Sequence, residues 1–488
     1  MNQKLSTLPA LEKPTRVRYG VLGFVCSLSM ITYLDRVCFG AAGPDIKKAM
    51  GVGDGDIALF TWAFALSYAI FEVPTGWLGD VFGPRKTLIR IVLWWSFFTV
   101  ATGIVGYPAV VVFLGGMWAW WLMLLTRFLF GVGEAGAYPN ITRALHNWFP
   151  FHERAFAQGA VWMSGRLMGG LTPFVWMLVT QSAVSWGGKS YGIGLGLPWY
   201  GAFYLFGALG IFWCLAFAFW FRNRPDEKAT VNAAERELIE GGRKDIEAAH
   251  AGVPWKRLLT SGNLWALCLM YFCMGYGWYF NISLLPTFLQ DQYGVQPDDP
   301  LGSLYKGGPL WMGAITCLIG GWLSDFLIRK TGSRRWGRRV LGLVGHTLCA
   351  SCYFIAIFIP VQAAYVFFFA LAISMAAFWN DLTMGSAWAI CQDIGKRYAA
   401  IVAGCMNTIG NLGGATTMLV TKYVLSAQES NYAASLGKEV EQLSNAERIA
   451  AVLPGYHINF AIYGAVYLLA VVLWLLIDAT KPVVPEEK

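Results

Sequence analysis

Arg127 and Glu134 stand seven positions apart in an apolar run that continues through Gly136, Tyr138 and Pro139. Seven residues make nearly two helical turns, so both side chains share one face, about 10 Å apart along the axis. That is too far for an ideal direct contact. A guanidinium can grip a carboxylate through two parallel hydrogen bonds, and a separate acid can carry a proton. Together on one cavity-lining face they have what coupling an anion to a proton requires. The alternative is two residues tied into unrelated salt bridges. Gly131, Gly133 and Gly136 also satisfy G-x-G-x-x-G, but a dinucleotide motif must follow a strand and open a helix. Here it lies in an apolar helix with a carboxylate where a pyrophosphate would bind, and it is rejected.

Other ionisable residues share this setting. A charge at mid-bilayer costs at least about 2.5–3.5 kcal/mol, so each must face a polar cavity or a partner. Asp35 and Arg36 are adjacent and point to different sides of a helix; they read either as a functional pair or as interhelical salt bridges. Tyr68 and Glu72 lie one turn apart, Glu72 being either a cavity acid or the buried partner of a cation. Arg166 offers a second anion contact. Tyr276, Trp278, Tyr279 and Asn281 precede Pro286, a helix breaker, and suit a sugar-like or carboxylate ligand or an interface belt. Asp381, Trp388, Asn407 and Asn411 are further polar and aromatic groups, with interhelical packing as the plainer role for the amides. The candidate substrate set is Arg127, Tyr68, Arg166, Tyr276, Trp388 and Asn407. The proton-coupling set is Asp35, Arg36 and Glu134.

The elements that must position these groups are transmembrane helices. The 488 residues are 56% hydrophobic and 14% charged, with a mean hydropathy of +0.48. Soluble domains run nearer about 25% charged. Disorder, nucleic-acid binding and a disulfide-stapled secreted fold are excluded. The 23 Trp residues suit membrane–water interfaces. The ten cysteines lie within apolar runs and read as small buried hydrophobes. The five His show no HExxH spacing, so no metal is expected. A polar stretch of about 17 residues before a full-length span argues against a cleavable signal peptide.

Twelve spans are predicted, at about 18–41, 57–79, 88–106, 118–146, 155–180, 198–221, 263–290, 307–328, 340–360, 362–391, 398–424 and 457–479. Of the 37 Lys and Arg, 27 fall in the termini and alternate loops, against seven in the opposite loops. The positive-inside rule then makes both termini cytoplasmic, so the net charge of +8 mostly sets topology and needs no nucleic-acid partner. The charged stretch Arg222–Arg257 reads as a linker with a short surface helix. The expected organisation is a tail at 1–17, six helices over 18–221, a linker at 222–259, six more helices over 260–479, and a tail at 480–488. Repetition supports it: Gly76-Trp-Leu-Gly-Asp80 ends span 2, and Gly321-Trp-Leu-Ser-Asp325 ends span 8, a separation of 245 residues, half the chain. Parallel repeats of this kind build many transporters.

With these residues in view, the chain resembles the major facilitator superfamily over nearly its whole length. Gly76-x-x-x-Asp80-x-x-Gly83-x-Arg85-Lys86 is similar to the signature between helices 2 and 3, and Asp325 to Lys330 is a decayed copy. The resemblance implies that Asp80, Arg85, Lys86 and Asp325 latch the cytoplasmic ends and stabilise an outward-open state. Tyr33 to Arg36, Arg127 to Pro150, Arg222 to Glu227 and Gly404 to Gly414 resemble the anion:cation symporter branch, which includes bacterial galactonate, hexuronate and glucarate permeases, sialin and the vesicular glutamate carriers. In that branch the arginine matching Arg127 binds the substrate carboxylate, the acids matching Glu134 and Asp35 are associated with protonation, and the arginine matching Arg36 with Asp35. Arg166 and Asp381 depart from the galactonate type, and an added cation at Arg166 favours a dicarboxylate.

The expected fold is all-α, with twelve transmembrane helices in two pseudo-symmetric halves. The expected function is import of a small organic anion, a sugar acid such as a hexonate, hexuronate or aldarate, by proton symport across the cell inner membrane. The rivals are an exchanger or uniporter of the same fold, or sodium coupling. No ATP-binding motif is present, no catalytic constellation is found, and the largest soluble loop is too short for a receptor's output domain. No cofactor is expected beyond the coupling proton. The partners expected are the anion and the bilayer, with a monomeric assembly.

Overall fold

Every predicted span becomes a helical stretch in the computed structural model, which describes residues 13–182, 184–186, 189–241, 253–295 and 300–484. Nearly all of the tail at 1–17, part of the linker and the last residues of the chain lie outside the described residues. Spans 1, 2 and 3 are Val17–Ala41, Asp54–Phe82 and Pro84–Val105. Spans 5 and 6 are Arg154–Thr180 and Trp199–Trp220. Spans 8, 9, 11 and 12 are Pro300–Thr331, Arg334–Ile357, Ala399–Ser435 and Asn445–Leu476. Eight helical stretches among the described residues are each long and apolar enough to cross a membrane.

Three spans are interrupted, and two of the interruptions directly follow a buried acid. Span 4 is Gly116–Glu134 followed by Ala137–Trp148. The helix that was predicted to run through 118–146 therefore stops at Glu134. Gly136 takes a left-handed φ of +80°, a conformation glycine adopts without a Cβ penalty. A Cβ there would also overlap Thr75 Oγ1 of span 2. Span 10 is Val366–Asp381 followed by Met384–Gly395, so it too breaks directly after an acid. Span 7 runs Gly262–Tyr279, widens through a π-helical turn at Phe280–Leu284, and continues as Leu285–Tyr293. The wide turn absorbs Pro286 without ending the span.

Where hydropathy sets the predicted limits, polar sequence extends the helices. Span 11 reaches Ser435, and span 12 starts twelve residues before its predicted onset, at Asn445, capped by Ser444 and Glu447. Sequence reading missed the short helix Gly43–Met50 and the antiparallel pair Val184–Trp186 with Lys189–Tyr191. The linker contains the expected surface helix, Ala233–Glu240, whose Glu235 pairs with Arg18 at 3.0 Å and ties the linker to span 1. Cys349 and Cys352 have C-x-x-C spacing on span 9, but all ten cysteines are free thiols.

The halves meet along spans 5 and 8 and along spans 2 and 11. Both contacts rest on glycine. A Cβ on Gly76 would lie 2.7 Å from the Ala400 carbonyl, and one on Gly321 would overlap the Ala155 carbonyl. These pairs are related by the same 245-residue offset as the sequence repeat. The glycines in both copies are therefore explained by close helix approach.

Candidate functional site

Spans 1, 2 and 4 bring Asp35, Arg36, Tyr68, Arg127 and Glu134 together. Arg36 Nε donates to Glu134 Oε1 at 2.6 Å, and its guanidinium lies 4.5 Å from the Tyr68 ring centroid. Asp35 turns the other way, toward Trp95 and Thr99 of span 3, and is buried with no hydrogen-bond partner for either oxygen. The resemblance associates Arg36 with Asp35; in the structure Arg36 pairs with Glu134. Adjacent residues on a helix diverge by about 100°, which explains the split.

Arg127 is the outstanding group. It is 2% exposed, and no carboxylate lies within ion-pair distance of it among the described residues. Its guanidinium is boxed by Phe39 at 4.1 Å, Phe130 at 4.5 Å and Phe64 at 5.4 Å. Cation–π contacts stabilise a desolvated guanidinium by about 2 kcal/mol. A buried charge nonetheless needs a counter-charge, and an arriving anion supplies one.

Span 2 reaches across to span 11. Asn407 Nδ2 donates to Glu72 Oε1 in a short contact and lies 3.5 Å from the Tyr68 hydroxyl. Glu72 is thus a buried acid bonded to an amide, and its Oε2 has no partner. Arg166 of span 5 pairs with Asp381 of span 10 at 2.8 Å, so in this state its charge is matched within the protein. Trp278 covers the Arg166 guanidinium at 3.8 Å. Four buried acids (Asp35, Glu72, Glu134 and Asp381) thus share the site with three arginines.

Two candidates fall elsewhere. Tyr276 points into the core of the second half, 5.7 Å from Tyr463 between ring centroids. Trp278, two residues on, is turned by about 200° and is the residue that meets the site. Trp388 is fully buried among Trp162, Tyr138 and Tyr271, and donates its indole N–H to the Tyr271 hydroxyl at 2.9 Å. It forms part of an aromatic floor, with no donor left for a ligand.

At the end of the bundle that bears both described termini, the halves are joined. Asp80 accepts the Ile401 amide at 2.8 Å and the Ala400 amide at 3.2 Å, capping span 11 from span 2. Asp325 accepts the Phe156 amide at 2.7 Å, capping span 5 from span 8. Each carboxylate satisfies orphan donors at a helix N-terminus and opposes its dipole. The basic residues of the signature do not join this contact. Arg85 bonds to the Ala218 carbonyl of its own half, and Lys86 is exposed, because both sit past the turn at Gly83 that starts span 3. Residues that sequence reading left unassigned take their place. Arg143 approaches Asp80 at 3.6 Å, Arg154 pairs with Asp393 at 2.8 Å, and the fully buried Arg338 bridges Asp325 at 2.7 Å and Asp393 at 3.2 Å. Their basic or acidic type near a helix end was the available signal; their pairing required the fold.

A helical membrane bundle with an internal repeat and a charged site where its halves meet is the architecture of a transporter. The chain belongs to the Major Facilitator Superfamily, whose family model matches residues 25–418. It is 32% identical to the probable sulfoacetate transporter SauU of Cupriavidus necator, over 85% of this chain and 89% of that protein. It is 26% identical to the probable galactarate/D-glucarate transporter GudP of Bacillus subtilis, over 88% of this chain and 90% of that protein. Among solved structures, the proton:xylose symporter XylE superposes with a TM-score of 0.64 over 95% of this chain and 96% of that one; at 12% identity this bears on fold alone. The relatives place the chain in the anion-transporter branch. It is a multi-pass membrane transporter and not an enzyme.

Proposed function

We propose that this transporter imports a small organic anion, of the sugar-acid class, together with protons. The observation that carries the reading is Arg127, a buried guanidinium without an acid partner in a site that also holds unpaired carboxyl groups. Arg127 takes the substrate carboxylate. Arg36 and Glu134 form the coupling pair: ionised Glu134 holds Arg36, and a proton on Glu134 releases Arg36 toward the arriving anion. Asp35 is the second proton carrier. The charge balance supports this. With four acids and three arginines ionised, the site is net negative and repels an anion until protons arrive. Proton and anion then raise each other's affinity, and linkage makes the effect reciprocal.

On this reading the basic end of the bundle is cytoplasmic, the chain lies as a monomer in the inner membrane, and the Asp80 and Asp325 contacts close the inner side. The names of the relatives, which carry sulfoacetate and galactarate/D-glucarate, support an anionic cargo. The test is uptake into proteoliposomes under an imposed pH gradient, without counter-substrate and without sodium. Accumulation of a sugar acid supports symport. Uptake that needs internal anion points to exchange, and uptake that follows sodium replaces the coupling ion.

A further inference from the structure

The Arg166–Asp381 pair is incompletely made. Carboxylate and guanidinium groups commonly meet through two parallel hydrogen bonds. Here one joins them, from Arg166 Nη2 to Asp381 Oδ1 at 2.8 Å. Arg166 Nε and Nη1 and Asp381 Oδ2 are buried with no partner, although both side chains are almost fully enclosed. A buried donor left without an acceptor carries a penalty that a fitting acceptor removes. Trp278 lies against the guanidinium and fixes its plane. Asn380 Nδ2 holds Asp381 Oδ1 at 2.9 Å, so the acid stays anchored whether or not it holds Arg166.

This pair adjoins the Arg127 site. A Cβ on Gly165 or Gly169, which flank Arg166, would come within 2.7 or 2.9 Å of the Tyr33 ring. Tyr33 itself lies two residues before Asp35 on span 1 and within electrostatic range of both Arg36 and Arg166. The two cations near this tyrosine are each held by an acid, Arg36 by Glu134 and Arg166 by Asp381, and Arg36 shares the Phe64 ring with the unpaired Arg127.

We infer that Arg166 and Asp381 form a specificity element that selects anions bearing a second acidic group, a carboxylate or a sulfonate, on the same small molecule. The inference rests on the anion-import reading above. The first acid of the substrate goes to Arg127, and the second takes the Nε and Nη1 side of Arg166 in place of Asp381. The displaced Asp381 carboxylate, too deep to remain charged alone, takes up one proton from the side the substrate came from. The titratable and charged groups around Asp381 are Arg166, Tyr33 of span 1, Cys317 of span 8, Cys349 of span 9 and Tyr467 of span 12. Arg166 is the one cation in that set. A substrate with a single acid leaves the pair closed.

The test compares galactarate with galactonate, which share a carbon skeleton and differ in one terminal carboxylate, and sulfoacetate with acetate. Uptake and competition are measured in proteoliposomes for the wild type, Arg166→Gln, and the double variant Arg166→Gln/Asp381→Asn, which removes both buried charges and guards against misfolding. The diacid-to-monoacid ratio should fall at least about tenfold in the double variant, as loss of a charged hydrogen-bonding contact implies. Proton uptake per diacid should exceed that per monoacid by one in the wild type. A ratio unchanged in the folded double variant overturns the inference while leaving anion import intact. A fall confined to galactarate assigns the subsite to a carboxylate, and one confined to sulfoacetate to a sulfonate. A wild type that moves none of the four acids removes the import reading and this inference together.

Discussion

Asp325 of span 8 accepts the Phe156 amide of span 5 at 2.7 Å, and Asp80 of span 2 accepts the Ile401 amide of span 11 at 2.8 Å. Donors and acceptors are both related by the 245-residue repeat. The two halves therefore hold each other through the same contact made twice, each with a carboxylate on a helix N-terminus.

Neutralising either carboxylate should loosen this end. A charge at a helix N-terminus is worth up to about 2 kcal/mol in partly buried geometry, or about 30-fold in a two-state ratio. Asp80→Asn should slow transport, and labelling of a cysteine placed at the capped end of span 11 should rise. Asp325 is also bound by Arg338 at 2.7 Å, so Asp325→Asn should disturb transport more. Unchanged labelling and uptake in both variants would leave these residues a purely topological role.

How much of this was legible in the sequence depends on the length scale of each signal. Each apolar run about 20 residues long located a helical stretch, and the repeat located both capping acids. The spacing of Arg127 and Glu134 placed them on one helix, which the structure keeps. What failed needed rotational phase or partners across the bundle. Tyr276 and Trp278 are equally plausible as letters, and only the helix phase decides which faces the site. Asp35 and Arg36 are neighbours in sequence, yet Arg36 finds Glu134 on another span. Arg154 and Arg338 look like ordinary loop charges until the fold buries them with Asp393 of span 10.

Gly136 should be intolerant of any side chain. Its φ of +80° costs an L-residue about 1–2 kcal/mol, and its Cβ would overlap Thr75 Oγ1. Gly51, in the same left-handed region at φ +67°, has open space around it and supplies the control for backbone strain alone. Gly136→Ala should lower the melting temperature in detergent by several degrees more than Gly51→Ala. Equal shifts would show that spans 2 and 4 yield freely at the break.

Arg127→Lys should lose most uptake while the protein still inserts and folds. Lysine keeps the charge but loses the planar fork that engages both carboxylate oxygens, and it is a poorer fit to the ring-lined box of Phe39, Phe64 and Phe130. An apparent affinity reduced at least about tenfold is expected, in line with loss of a charged hydrogen bond. Near-normal affinity in the Lys variant would remove Arg127 from the carboxylate site.

Glu134→Gln should separate net transport from exchange. The amide matches the acid in size, but it carries no charge to hold Arg36 and cannot give up a proton. It imitates the protonated state permanently. Under the proposed coupling, return of the empty carrier requires Glu134 to lose its proton and recapture Arg36 at the 2.6 Å contact. Uptake driven by a pH gradient should therefore fail in the Gln variant. Exchange of internal for external substrate should persist, because the loaded carrier crosses without deprotonating. Asp35→Asn has to be measured separately, since its carboxyl is buried without a partner and faces span 3 instead of Arg36. The decisive comparison is counterflow against gradient-driven accumulation in the same vesicles, across a range of pH. If Glu134→Gln accumulates substrate at the wild-type level, Glu134 is not the coupling acid. Asp35 and Glu72, the two buried acids outside any ion pair, then become the groups to test.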